Sequence, residues 1–262
     1  MNDPLFDVQD QVVLVSGGTR GIGRAIAQGF AERGAHVIVT GTRKETVDAA
    51  THRIKTHHDG TVSGFVCDVA DASAIKHVVG EVIAALGRID TLINCAGVNR
   101  RKPALEVTEE DYDHILDINL KGAYVMSQEV GRHMIDRKAG SQINIASLNT
   151  DKPLLNVSPY ALSKSAMEGM TRSLAAEWGP KGVRVNALAP GFILTDLTQK
   201  LWSDPHMHQW GVENTPQRRL GKPEDMVGTA LFLASPAAAF LTGQIIYVDG
   251  GFTAAFHWPI PS

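Results

Sequence analysis

Val12-Val13-Leu14-Val15 runs straight into Ser16-Gly17-Gly18-Thr19-Arg20-Gly21-Ile22-Gly23, and from Ile22 the apolar residues take a helical spacing through Ala25, Ile26 and Phe30. The stretch reads as a strand, a glycine turn and an amphipathic helix in immediate succession. Backbone N–H groups and the helix dipole at such a turn favour an anion of the pyrophosphate kind. Gly17, Thr19, Arg20, Gly21, Ile22 and Gly23 are therefore the candidate cradle. Their spacing is G-x-x-x-G-x-G rather than the generic G-x-G-x-x-G, so an ordinary glycine turn is the competing reading until the rest of the chain is weighed.

Further short apolar runs follow at residues 37–39, 62–66, 91–93, 143–145, 183–187 and 245–248. Each reads as a strand apolar on both faces, and helical spacings such as Val78-Val82-Ala85-Leu86 lie between them. Strict alternation of strand and helix predicts an α/β fold: a Rossmann-type, doubly wound parallel sheet of about seven strands with helices on both faces, binding ligands outside the carboxyl ends of the strands. No linker or repeat divides residues 1–262, which read as one domain, and the longest interruption, about 195–222, reads as a substrate loop or lid. Residues 228–248 carry no charge, but Pro236, Gly243 and Gln244 break them into a helix ending near Ala234 and a strand from Gln244 to Val248 rather than a membrane span.

With 262 residues, 44% of them hydrophobic, the chain is long enough for one large core, and its net charge of −3 offers no broad basic field. Nucleic acid and membrane surfaces are not expected partners. Cys67 and Cys95 make neither a disulfide framework nor a zinc site and fit a reducing cytoplasm. The acidic, proline-broken start Met1-Asn2-Asp3-Pro4 lacks the features of a secretion signal. His57-His58 and the pair His206, His208 lack carboxylate or thiol partners at ligand spacing, so no metal is expected.

Sites that prefer NAD place an acidic residue at the end of the second strand, about 20 residues past the glycines. This chain has Thr40-Gly41-Thr42-Arg43 there. Arg43, assisted by Arg20, suits a 2′-phosphate through charge-assisted bonds, so Thr42 and Arg43 favour NADP(H), while nearby Glu45 leaves NAD(H) open. Ser147 follows the fifth run, and thirteen positions on begins Tyr160-Ala161-Leu162-Ser163-Lys164. Tyr160 and Lys164 share a helix face one turn apart. An ammonium beside a phenol stabilises the phenolate, lowering a pKa that is ordinarily about 10, and makes tyrosine a usable proton donor and acceptor. Asn94-Cys95-Ala96-Gly97, Asn119 in Asp117-Ile118-Asn119-Leu120, Pro190-Gly191 and Val248-Asp249-Gly250-Gly251 complete the set.

In this order the motifs resemble the short-chain dehydrogenase/reductase family, from about residue 12 to residue 252. The resemblance implies that Tyr160 is the acid/base, that Ser147 orients the substrate oxygen, that Lys164 binds the nicotinamide ribose and tunes Tyr160, and that Asn119 holds a water in a proton relay. It implies cofactor contacts from Asp68 to adenine with Val69 beside it, from Asn94, Ala96 and Gly97 to ribose, and from Pro190, Gly191, Ile193 and Thr195 to the nicotinamide amide. Cys95 stands where the family usually has a second asparagine, and Ser16 where it usually has threonine.

Residues 94–103, 194–210 and 215–223 look closest to gluconate 5-dehydrogenases and related sugar-acid reductases. That likeness implies an NADP(H)-preferring interconversion of a secondary alcohol and a ketone on a small polyhydroxylated acid. A sugar acid needs a cation for its carboxylate, and Arg100-Arg101-Lys102 follows a strand end at the mouth. Arg101 is the candidate carboxylate ligand, with Ser147 and Tyr160 at the reacting oxygen; a trio facing water or a neighbouring subunit is the alternative. A 3-oxoacyl-thioester reductase and a catalytically silent nucleotide sensor are the rival functions, and intact Ser147, Tyr160, Lys164 and Asn119 argue against the sensor.

Trp202, Met207 and Trp210 read equally as a cap on the substrate or as packing under the lid. Glu109, Glu110, Asp111 and Asp113 after Thr108 read as an acidic helix start. The apolar tail 252–262, with Phe256 and Trp258, predicts docking on another subunit of a homo-oligomer, dimer or tetramer.

Overall fold

The computed structural model describes residues 3–55 and 61–255, so the expectations placed on His57, His58 and the tail from Phe256 onward lie outside the described residues. The first half of the sheet is built from β1 (Val12–Ser16), α1 (Gly21–Ala31), β2 (His36–Gly41), α2 (Lys44–Lys55), β3 (Val62–Val66) and α3 (Ala72–Leu86). The second half follows with β4 (Thr91–Asn94), α4 (Glu109–Leu116), α5 (Gly122–Arg137), β5 (Gly140–Ile145), α6 (Ser158–Trp178) and β6 (Val183–Pro190). The chain then runs through α7 (Gln199–Trp202), α8 (Pro205–Asn214) and α9 (Val227–Ala234) to β7 (Ile245–Val248). All strand pairs are parallel, in the order β3-β2-β1-β4-β5-β6-β7.

Side chains alternate across a strand, and the apolar runs exploit this by feeding two cores at once. Val13, Val15, Val37 and Val39 pack with Ile26 and Phe30 of α1 and Ala230 and Leu233 of α9 on one face. Val12, Leu14 and Ile38 pack with Val78 and Val82 of α3 and Met126 and Val130 of α5 on the other. The expectation of strands apolar on both faces is corrected at the sheet margins. In β3 the burial alternates and Val66 is 50% exposed, and every residue of β7 is only partly covered. A margin strand has a neighbouring strand on one side alone, so its side chains are only partly covered. Residues 228–248 form nearly all of α9, a turn at Pro236–Ala238 and β7, as read from the sequence, and among the described residues no helix is long and apolar enough to cross a membrane.

The order of travel reverses between β1 and β4, which opens a crevice at their carboxyl ends. The loops touch there: Gly17 has φ +73°, and a Cβ on it would stand 2.7 Å from Ala96 Cα. Only glycine combines that dihedral with that approach.

The segment 195–222 is folded rather than loose. Asp204 caps α8 by accepting from the Met207 N–H at 3.0 Å. Leu148, Phe192, Trp202 and Leu220 form a buried cluster joined by Met207 and Phe252. Phe192 sits at its centre, with ring centroids 5.1 Å from Trp202, 5.7 Å from Trp210 and 4.6 Å from Phe252. Of the two readings for these aromatic residues, the structure favours packing: they hold the segment to the body, and none of Trp202, Met207 and Trp210 lines the crevice.

Candidate active site

The glycine turn forms one wall of the crevice. No side chain caps the start of α1, whose N-cap is Arg20, so its first N–H groups are left for a ligand. A Cβ on Gly23 would collide with the Gly17 carbonyl oxygen and stand 3.0 Å from the Gly17 carbonyl carbon, so turn and helix close on one another only through glycine. Gly17, Thr19, Arg20, Gly21, Ile22 and Gly23 line this wall, with Thr42, Asp68 and Val69 beyond it. Ala96 and Gly97 lie at the centre, and Ser147, Tyr160, Lys164, Pro190, Gly191, Ile193 and Thr195 line the far side. A backbone cradle too close for side chains, opening onto a helix N-terminus, fits the pyrophosphate of a dinucleotide. Arg43 is exposed beside Thr42 and does not belong to the wall.

Beyond β5 the backbone at Ser147 is extended, and its hydroxyl oxygen accepts from the Asn149 backbone N–H at 3.1 Å and from Asn149 Nδ2 at 3.2 Å. Both contacts use Ser147 as acceptor, which leaves its own O–H for the Tyr160 side, where Ser147 pulls the phenol's pKa down. Tyr160 lies in the first turn of α6, opened by Pro159, and Lys164 lies one turn on. Lys164 Nζ donates to the Ile145 carbonyl at 2.6 Å and sits 5.7 Å from the centre of the Tyr160 ring. Burial pulls the Lys164 ammonium down to about 8. The expectation of an acidified phenol is corrected: burial pushes Tyr160 above its ordinary value, and the opposing pulls come from the Ser147 hydrogen bond and the charge of Arg101.

Two expected contact residues lie behind the crevice rather than on it. Asn119 is fully buried in a π-helical turn, Asp117–Lys121, where Oδ1 accepts from the Val98 N–H at 2.8 Å and Nδ2 donates to the Val98 carbonyl at 3.0 Å and to Ser163 Oγ at 3.1 Å. Both amide protons are committed, so the side chain anchors the loop after β4 to α6. Asn94 is buried below the floor, with Nδ2 donating to Ser127 Oγ and Asn144 Oδ1, both at 2.9 Å. Asn144 Nδ2 in turn donates to Thr171 Oγ1 at 2.9 Å. The alternation of β4 turns Asn94 into the layer beneath α5 and α6, so ribose contact through its side chain is not available, and Cys95 takes the place on the wall.

Sequence reading passed over Asn149, Thr198, the place of Cys95 in the crevice wall and the second task of Asp111. Thr198 donates to the Ile193 carbonyl at 2.6 Å and accepts from the Thr195 N–H at 3.0 Å, fixing the turn that borders the crevice. The spacings Ser147-x-Asn149 and Thr195-x-x-Thr198 were the available signals, because both suit local bonds between side chains and backbone. Arg101 is exposed in the loop after β4 and is not among the residues lining the crevice, though its charge acts on the Tyr160 phenol, while its neighbours Arg100 and Lys102 are both held by Asp111. His206 and His208 are exposed on α8, and among the described residues no three His, Cys, Asp or Glu side chains gather as a metal site.

A family model described as enoyl-(acyl carrier protein) reductase matches residues 17–253. Gluconate 5-dehydrogenase of Gluconobacter oxydans is 36% identical over 252 residues, covering 96% of this chain and 98% of that protein. D-threitol dehydrogenase of Mycolicibacterium smegmatis is 38% identical over 248 residues, covering 95% of each. The crystal structure of a gluconate 5-dehydrogenase from Burkholderia cenocepacia in complex with NADP and tartrate matches with a TM-score of 0.92 at 34% identity, over 96% of this chain and 98% of that one. The chain belongs to the short-chain dehydrogenase/reductase family, enzymes that act on hydroxyl and keto groups with a nicotinamide cofactor.

Proposed function

We propose that the chain is an NADP(H)-preferring oxidoreductase that interconverts a secondary alcohol and a ketone on a small sugar acid of the gluconate and 5-ketogluconate kind. The observation that carries this reading is the grouping, at one end of a dinucleotide-shaped crevice, of the Tyr160 phenol, Ser147 and the Lys164 ammonium, with the charge of Arg101, which has no ion pair among the described residues, acting on the phenol from the exposed loop after β4. The similarity to two gluconate 5-dehydrogenases supports the substrate class, and the NADP in one of those crystals supports the cofactor.

A nicotinamide cofactor, when bound, supplies or accepts the hydride. The residues around it divide the remaining work. Gly17 and Thr19 to Gly23 hold the pyrophosphate, Arg20 with Thr42 and Arg43 favours the 2′-phosphate, Asp68 and Val69 border the adenine, Ala96 and Gly97 the ribose, and Pro190, Gly191, Ile193 and Thr195 the nicotinamide amide. Ser147 orients the substrate oxygen. Tyr160 gives its proton to a ketone oxygen or takes one from an alcohol, and Lys164, cationic at neutral pH, anchors ribose beneath it. Asn119 acts through position, fixing the loop that carries Gly97 and Val98. Arg101 binds the carboxylate. The enzyme works as a homo-oligomer in the cytoplasm: Tyr112, Tyr124 and the partly covered β7 leave apolar surface for a second copy, and both cysteines are free thiols.

The first test is nicotinamide absorbance with NADP(H) and NAD(H) in parallel, against gluconate, 5-ketogluconate, polyols and an acetoacetyl thioester. The expected result is turnover on gluconate or 5-ketogluconate, faster with NADP(H). Turnover confined to polyols or to the thioester, or none at all beside tight NADPH binding, rejects the sugar-acid reading. Arg101→Ala is expected to raise the gluconate KM about tenfold or more, the scale of one lost charge-assisted hydrogen bond, and to leave glucitol, its uncharged counterpart, unaffected. An equal effect on both substrates removes the carboxylate role.

A further inference from the structure

The acidic start of α4 and the basic trio after β4 are separate features of the sequence, and the fold makes them one cluster. Arg100 Nη1 donates to Asp111 Oδ1 at 2.8 Å, Lys102 Nζ donates to Oδ2 of the same carboxylate, and the Asp111 side chain is only 5% exposed. Glu110 reaches Arg100 from the solvent side at 3.5 Å. Asp111 also closes the cap of α4: its N–H donates to Thr108 Oγ1 at 3.1 Å, and Oδ2 accepts from the Thr108 N–H at 3.3 Å. A capping box needs one acceptor at this position and no cations. Two cations on one nearly buried carboxylate exceed what capping asks for.

The loop between these partners is pinned on both sides of Arg101. Val98 is held through both its backbone groups by Asn119, and the Lys102 N–H donates to the Asn156 carbonyl at 3.0 Å. Arg101 is exposed and has no ion pair among the described residues, and its charge acts on the Tyr160 phenol. Three loose cations would attract an anion without orienting it. With Arg100 tied to Asp111 and Glu110 and Lys102 tied to Asp111, Arg101 is the one cation of the trio without an ion pair among the described residues.

We propose that Asp111 is a positioning residue for substrate recognition: by clamping Arg100 and Lys102 it leaves Arg101 alone, and in place, to receive a substrate carboxylate. This rests on the sugar-acid reading given above. Asp111→Asn removes the charge while keeping the size and a capping oxygen. It is expected to raise the gluconate KM about fivefold to tenfold, a coupling of ordinary size for a charged network, with kcat and NADPH affinity unchanged. In the Arg101→Ala background the same change is expected to add nothing, and Asp111→Glu, which keeps the charge, is expected to recover most of the loss.

NADPH affinity and the melting temperature report separately whether each variant is folded. An Asp111→Asn effect that adds in full to that of Arg101→Ala, or that weakens NADPH binding equally, makes Asp111 an ordinary structural residue and overturns the proposal. A gluconate KM that rises with Arg101→Ala but not with Asp111→Asn also overturns it and leaves the sugar-acid reading standing. If Arg101→Ala itself leaves the gluconate KM unchanged, it is the carboxylate reading that fails, and the role of Asp111 falls with it.

Discussion

Replacing Tyr160 by phenylalanine is expected to lower turnover at least about a hundredfold, the usual cost of a missing general acid, while NADPH affinity stays at its parent value. The ring keeps its place in the first turn of α6, so what is lost is the phenolic O–H beside Ser147. The pH profile carries a sign. Burial raises the phenol above its ordinary value, so alcohol oxidation, which needs the phenolate, gains kcat/KM as pH rises through neutrality into the alkaline range. Ketone reduction needs the protonated phenol and stays level over the same range, falling only above it. Measuring both directions on parent and variant checks the pair of limbs. Turnover retained by the variant, with its alkaline limb intact, would assign the proton to another group.

Gly23→Ala is expected to weaken NADPH binding by about a hundredfold, the loss of roughly two charge-assisted hydrogen bonds. The added methyl would meet the Gly17 carbonyl oxygen and lie 3.2 Å from Gly18 Cα, and these are backbone atoms that can yield only by opening the turn. Alanine is itself the better helix former by about 1 kcal/mol, so α1 is not expected to unravel. NADPH fluorescence titration beside a thermal melt separates the two effects. A folded variant with parent affinity would show that the pyrophosphate does not use this cradle.

The interior of the sheet was legible in the sequence because β1 and β2 bury alternate residues in two different cores, a pattern local to each strand. The margins were not, since which strands lie outermost is set by the order of the whole sheet. Tyr160 and Lys164 could be placed together because a helix fixes residues one turn apart on a shared face. The raised Tyr160 pKa could not be read, because burial depends on what α6 packs against. Asn94 and Asn119 carried the right residue type at an expected position, but side-chain direction follows partners far along the chain: Ser127 and Asn144 for one, Val98 and Ser163 for the other. Asp111 was hidden differently. Thr108-x-x-Asp111 already accounts for an acid at a helix start, and nothing local shows that Arg100 and Lys102 fold back onto it.

The buried amides beneath the floor act as a key in a slot. Asn94 and Asn144 are direct partners in the register of β4 against β5, and the hydrogen bond from Asn94 Nδ2 to Asn144 Oδ1 forms only at that register, with Thr171 accepting the next hydrogen bond along. A slip of one residue would set these amides against apolar neighbours and leave polar groups unpaired in a dry layer, at about 1–3 kcal/mol for each. Valine or isoleucine pairs tolerate such sliding far better. The joint thereby sets the height at which the two strands deliver Gly97 and Ser147 into the crevice. The loop from Val98 to Pro103 and the segment around α7 and α8 rest on fastenings of their own, so a change of side chain there leaves the alignment of the chemistry beneath them in place.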